Sequence, residues 1–304
     1  MILDGISFPN TLKPIQTRKF FKYKNISTEK AFNNLLDSLE NKYFYFSRPN
    51  QLNDPFDANV PNEYEATDEE IRNWQKTHPK LLRLHVSDIR KKIENGTLIN
   101  VLDKAAEKDR NNFCILSLCS SEINEILWGT YTDSYSGVCL GYNTIQFDNE
   151  EIDGEKVFYI ESINKSSIEE FTPELREINQ KNYFFIRPVI YDNDGLHKYN
   201  NFRRKETIKN IEYNMYHKKS IWKQENEFRA ILLSNPLKPD MFNQKIYYGD
   251  NTLCEIVFGY RMCIEKREKI INLVSKKYKP GSVKYYEISP DLNSFTLKKY
   301  SIEV

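Results

Sequence analysis

The segment that most restricts the fold is Trp222 to Leu233, WKQENEFRAILL. Read as a β-strand, its side chains alternate between two faces, so Phe228, Ala230 and Leu232 share one face while Glu225, Glu227 and Arg229 share the other. One face is apolar and belongs against a core. The other crowds two carboxylates and a guanidinium together, and the rest of the chain must either neutralise that group or use it.

A core large enough for such a strand is available. Apolar residues make up only 39% of the 304 positions, but 18 Phe and 20 Tyr supply large buried surfaces. The net charge of +1 excludes a uniformly basic nucleic-acid binder, although not a local basic patch. Five cysteines, an odd number without short paired spacing, and four histidines fit reduced thiols better than a disulfide framework or a zinc site, and no metal is expected. The opening MILDGISFPN lacks a basic-then-apolar signal pattern, and no run approaches the roughly 18 apolar residues of a membrane span. A cytoplasmic protein without membrane contact is expected.

In chain order, residues 1–18 read as an irregular lead-in, and Phe20 to Lys24 as a strand. Ser27 or Thr28 is placed to cap a helix carrying Ala31, Phe32, Leu35, Leu36 and Leu39, and Tyr43 to Phe46 gives a second strand. The loop Leu52-Asn53-Asp54-Pro55-Phe56-Asp57 reads as a rigid Asx-Pro turn, which either is purely structural or presents Asn53, Asp54 or Asp57 to a ligand. Residues 62–112 are charged and helical. Phe113 to Ser120 and Gly137 to Tyr142 are strands that flank a short helical turn bearing Trp128 and Tyr131. Those two rings, three residues apart, either seal the sheet or wall a site for a planar ligand. After Trp222 to Leu233 come a strand at Leu253 to Gly259, a helix at Cys263 to Tyr278 and two closing strands. The expectation is one α+β domain over 1–304 with a helical insertion near 62–112.

Charge is segregated along the chain. Asp148 to Glu177 holds ten acidic and three basic residues, whereas His197 to Lys223 holds eight Lys/Arg and two Glu. The basic block is interleaved with Tyr199, Phe202, Tyr213, Tyr216 and Trp222, and Arg203, Arg204, Lys218 and Lys219 are its candidate nucleic-acid contacts. A solvated helix face balanced by the acidic block is the competing interpretation.

Four motifs occur in order: Lys22-Tyr23-Lys24, Asn53 to Asp57, Trp128 to Cys139, and Trp222 to Arg229. Together they resemble a bacterial family of unknown function whose layout is similar to the ADP-ribosyltransferase superfamily. That resemblance implies an α+β fold with an ADP-ribosyltransferase-like split β-sheet core, NAD as co-substrate and no metal. It also implies that Glu227 steadies the oxocarbenium charge that grows on the ribose as the nicotinamide bond breaks, and that Glu225 positions or deprotonates the acceptor. Lys22, Tyr23, Lys24, Asn53 and Trp128 would line the NAD site, with Ser120 at the nicotinamide ribose and Tyr131 at the ring. The first strand carries neither the histidine nor the arginine usual in that superfamily. The expected activity is a toxin or defence effector that modifies RNA or DNA in preference to protein and is held off by an antitoxin or inhibitor protein. The alternative is a nuclease or nucleic-acid-binding protein using the 197–223 block with Asp54, Asp57, Glu225 and Glu227, with Mg²⁺ as its metal.

Overall fold

The computed structural model describes residues 14–59, 61–147, 151–152, 155–156, 158–163, 182–193, 198–233 and 244–304. Residues 1–13 of the lead-in, most of the acidic block and the side chain of Arg204 lie outside the described residues.

Eleven strands form the sheet: β1 (Pro14–Lys24), β2 (Tyr43–Tyr45), β3 (Phe113–Cys119), β4 (Val138–Phe147), β5 (Phe158–Ile163), β6 (Asn182–Pro188), β7 (Glu227–Leu233), β8 (Lys245–Tyr248), β9 (Leu253–Gly259), β10 (Lys284–Asp291) and β11 (Thr296–Ile302). Their order is β11-β10-β9-β4-β1-β3-β7-β6-β5-β8-β2, and a further pairing joins β4 to β5 through Ile145 and Tyr159. That pairing closes β4, β1, β3, β7, β6 and β5 into a six-stranded antiparallel barrel. β4 manages three neighbours by dividing its length, with Val138 to Tyr142 against β9 and Ile145 against β5. The architecture is mixed α and β with a sheet-dominated core. The other five strands continue from the barrel, β9, β10 and β11 beyond β4, and β8 and β2 beyond β5, while each barrel strand is paired on both sides.

The period-2 patterning determines which side chains are buried together. Phe20 of β1, Leu116 and Leu118 of β3, Leu140 and Tyr142 of β4, Ile160 of β5, Ile186 of β6 and Ala230 of β7 join one apolar cluster. Helices α1 (Glu29–Glu40) and α7 (Ile264–Lys277) add Phe32, Leu35, Leu39, Ile270 and Val274 to it. Thr28 caps α1 by accepting from the Ala31 amide at 3.1 Å, so the predicted start of that helix is met.

The insertion expected at 62–112 is helical: α2 (Asp68–Lys76), α3 (Val86–Glu94) and α4 (Ile99–Arg110). Ile71, Trp74, Val86, Ile89, Leu98 and Leu102 bury one another together with Phe202. A separate small core therefore holds this layer beside the barrel. The short α5 (Glu125–Thr130) follows β3, and α6 (Arg204–Met215) precedes the segment that leads into β7. Among the described residues no helix is long and apolar enough to cross a membrane.

Candidate functional site

The site forms where β1 and β3 end and β7 begins. Glu227 opens β7, and alternation places Glu227 and Arg229 opposite Phe228, Ala230 and Leu232, as the strand pattern requires. Glu225 departs from that pattern. It ends a 3₁₀ turn over Ser220–Glu225, and Asn226 then takes the left-handed conformation at φ 48°, so Glu225 is not a strand residue. The tight turn nevertheless returns its carboxylate to the same place. Asn tolerates that backbone better than most residues because its short side chain bonds locally.

Arg229 is completely buried. Its Nε donates to Glu227 Oε1 at 2.7 Å, Nη1 to the Met215 carbonyl at 2.6 Å, and Nη2 to Asp57 Oδ2 at 2.6 Å and Glu227 Oε2 at 3.1 Å. Lys218 supplies the second cation. Its ammonium lies 2.6 Å from Glu225 Oε2, 3.1 Å from Glu227 Oε2 and 3.5 Å from Asp57 Oδ2. Residues His217–Lys218 run parallel to Ile190–Tyr191, which fixes the lysine backbone, and Trp222 packs its ring 5.2 Å from the ammonium. Three carboxylates thus share two cations, and all five side chains are buried.

The Asn53–Asp57 loop forms the expected turn, and its polar side chains bond within the chain. The Phe56 amide donates to Asp54 Oδ1 at 2.9 Å, an Asx turn, while Asp57 is delivered to Arg229. The other Asp57 oxygen, Oδ1, is buried without a hydrogen-bond partner among the described residues. Asn53 donates to the Tyr131 hydroxyl at 3.1 Å, and Tyr131 in turn donates to Glu225 Oε1 at 3.0 Å.

Asn53, Asp57, Tyr131, Lys218, Glu225 and Glu227 line one cavity of about 360 Å³ together with Lys22, Tyr23 and Lys24 from β1, and Ser117 and Cys119 from β3. Its volume falls in the roughly 300–1,000 Å³ range of small-molecule sites. The first strand, the Asn-Asp-Pro loop, the Tyr131 turn and the Glu-x-Glu segment are remote in sequence and meet here.

The environments separate the two glutamates. Burial alone would raise the Glu227 carboxyl, but Arg229 and Lys218 outweigh it and hold it at about 2. For Glu225 burial prevails over the help from Lys218 and Tyr131, and its carboxyl is raised. Two lysines are separated in the same way. Lys218 is held charged because the carboxylates overcome its burial. Burial, followed by repulsion from Lys24, brings Lys22 down to about 7 despite the attraction of Glu227. Lys22 keeps some surface open to the cavity, yet the protein packed around it removes most water from its amine, which donates to the Ser117 carbonyl at 2.9 Å. Burial raises the Tyr131 phenol to about 12, so it is a donor at neutral pH.

Several expected site residues are placed elsewhere. Trp128 is fully buried, bonded to the Glu122 carbonyl at 2.8 Å and stacked edge-on against Tyr23, so it seals the core while Tyr131 alone of the pair walls the cavity. Ser120 lies past the end of β3 and does not line the cavity, whereas Ser117 and Cys119 do. Tyr23 lines it, but its hydroxyl donates to the Ser121 carbonyl at 2.9 Å and accepts from the Asn124 amide at 3.1 Å.

Among the described side chains, those of the basic block divide between core and surface. Lys218 is buried among carboxylates, and Arg203 donates to Glu70 Oε1 at 2.6 Å on the surface. Tyr199, Phe202 and Tyr216 are core residues. Lys219 is exposed, with its ammonium 3.7 Å above the Phe56 ring. Arg204 begins α6. Lys218 ends the short strand whose two residues are both buried, whereas Lys219 stands at the N-cap of the following 3₁₀ turn and is exposed.

The sequence matches no protein-family model, no curated protein and no solved structure.

Proposed function

We propose that the cleft cleaves the nicotinamide–ribose bond of NAD and transfers ADP-ribose to a macromolecule. The observation that carries this reading is the opposed state of Glu225 and Glu227 at one cavity floor: a pair of carboxylates pushed apart by environment is a basis for assigning separate chemical roles. Glu227, kept anionic by Arg229 and Lys218, suits a fixed negative charge beside a developing oxocarbenium ion. Glu225, raised by burial and joined to Tyr131, suits proton transfer from an acceptor.

The residues present fit such a co-substrate. Asp57 Oδ1 and the glutamate oxygens are acceptors for ribose hydroxyls, and Lys22 and Lys24 offer amines towards phosphate. Lys218 and Arg229 already neutralise much of the carboxylate charge, which favours this reading over a divalent-metal nuclease built on the same acids.

Purified protein is incubated with NAD and a cell lysate, and nicotinamide release and labelling of the protein and nucleic-acid fractions are followed by mass spectrometry. Release and labelling that vanish in Glu227→Gln are expected. Unchanged NAD after prolonged incubation overturns the proposal.

A further inference from the structure

We propose that Lys22 is an amine nucleophile that captures the carbonyl of an anionic aldehyde or ketone in the cleft as an imine, with Lys24 meeting the ligand's negative charge. The inference concerns the same cavity but draws on the amines of the first strand and not on the glutamates, and its test does not use NAD.

Lys22 and Lys24 alternate with Phe21 and Tyr23, whose rings are buried with Cys119, Leu127 and Trp128. The aromatic positions anchor the strand, and both lysines line the cavity. The hydrogen bond of Lys22 Nζ to the Ser117 carbonyl, at 2.9 Å, uses one N–H, so a neutral amine still makes it while keeping its lone pair free. Lys218, in the same cavity, is instead locked to carboxylates and cannot present a lone pair. A desolvated lysine beside a second cation is the arrangement that activates an amine for imine formation. With its pKa brought to about 7, about half of Lys22 is free amine at neutral pH, against roughly one part in three thousand for an ordinary lysine at 10.5.

The step balances without a further reagent. The Nζ lone pair bonds to the carbonyl carbon while the carbonyl π pair moves to oxygen. A proton passes from nitrogen to that oxygen, a second proton from solvent lets it leave as water, and nitrogen forms the C=N bond. Loss of a proton from the iminium returns the one taken, so amine and carbonyl become imine and water. The same two-lysine arrangement suits an aldose phosphate in its open-chain form.

The test uses pyridoxal 5′-phosphate and, in parallel, pyridoxal, each at limiting concentration with the intact protein at pH 7, followed by borohydride reduction and peptide mapping. Lys22 is expected to carry the reduced adduct at least about tenfold above the exposed Lys219 and Lys276, with labelling that rises between pH 6 and 8 and then levels. Lys24→Met is expected to remove the advantage of the phosphorylated probe over pyridoxal and, because the repelling charge is gone, to move the rise in pyridoxal labelling of Lys22 to higher pH. Labelling of Lys22 no greater than that of Lys219 and Lys276, or a rate at Lys22 that climbs steadily to pH 10, overturns the proposal. Both readouts are made on the unsubstituted protein, so they stand even if the variant folds poorly.

Discussion

Arg229 and Asp57 lie 172 positions apart in sequence and 2.6 Å apart in space, joined by a hydrogen-bonded ion pair whose arginine has no exposed surface. The contact ties the Asn-Asp-Pro loop to β7 and fixes the cavity floor. Breaking one partner of such a pair leaves an uncompensated buried charge, and Arg229 compensates two carboxylates at once. Arg229→Met is therefore expected to destabilise the fold by about 3–5 kcal/mol. Arg229→Lys keeps the charge but not the forked geometry and should recover only part of that loss. Urea denaturation checks both, and a loss below about 1 kcal/mol for Arg229→Met counts against this role.

The Glu227 carboxyl gives the fold a defined response to acid. Its ordinary value is 4.5 and its folded value about 2, so the folded state binds its proton less readily than the unfolded chain does. The stabilisation is fully present above about 4.5 and is lost as pH falls towards 2. Thermal melts across pH 2 to 6 should show a steep decline in the unsubstituted protein and a shallower one in Glu227→Gln, which starts less stable at neutral pH. Parallel curves would remove Glu227 from the account.

Gly259, at the end of β9, sits directly against the chain leaving α5. A Cβ built there would approach the Tyr135 carbonyl oxygen to 1.9 Å, a backbone atom that cannot swing aside. Gly259→Ala is expected to cost about 3 kcal/mol or more, since relief requires moving the loop that carries Tyr135. Chemical denaturation provides the measurement, and a near-neutral change would show that this loop shifts readily.

Alternation made the two faces of β7 legible from sequence, and helical spacing gave α1, the insertion and α7. Barrel closure was not legible, because a single pairing of Ile145 with Tyr159 distinguishes a closed ring from an open sheet, and no local pattern encodes it. The site was partly legible for a similar reason. Glu225 and Glu227 were marked by spacing, but the left-handed turn at Asn226 replaced the expected strand. Lys218 looked like one of many basic residues until the parallel pairing with Tyr191 placed it among carboxylates. Trp128 and Tyr131 share a helical spacing, yet indole burial outweighed any role at the cavity for the larger ring.

Tyr131 tests the proton-transfer role of Glu225. Its hydroxyl donates to Glu225 Oε1 and so favours the ionised carboxylate. In Tyr131→Phe the Glu225 carboxyl should rise further, moving the acidic limb of nicotinamide release upward by roughly half to one pH unit, as expected for one lost hydrogen bond near 1 kcal/mol. The pH profile of NAD consumption checks this, with thermal melts confirming an intact fold. An unmoved limb would assign the proton transfer to another group.

Lys218 and Lys219 are neighbours with opposite surroundings, and single substitutions should separate chemistry from acceptor binding. Lys218→Ala removes a cation shared by Glu225, Glu227 and Asp57, so nicotinamide release and macromolecular labelling should fall together, with a loss of stability of about 3 kcal/mol or more. Lys219→Ala removes an exposed ammonium held over Phe56, so stability and NAD hydrolysis should change little. If a nucleic acid is the acceptor and crosses this surface, Lys219→Ala lowers its labelling and reduces the salt dependence of that labelling, while protein labelling is unaffected. Equal labelling by Lys219→Ala and the unsubstituted protein at low and high salt would move the acceptor path away from Phe56 and Lys219.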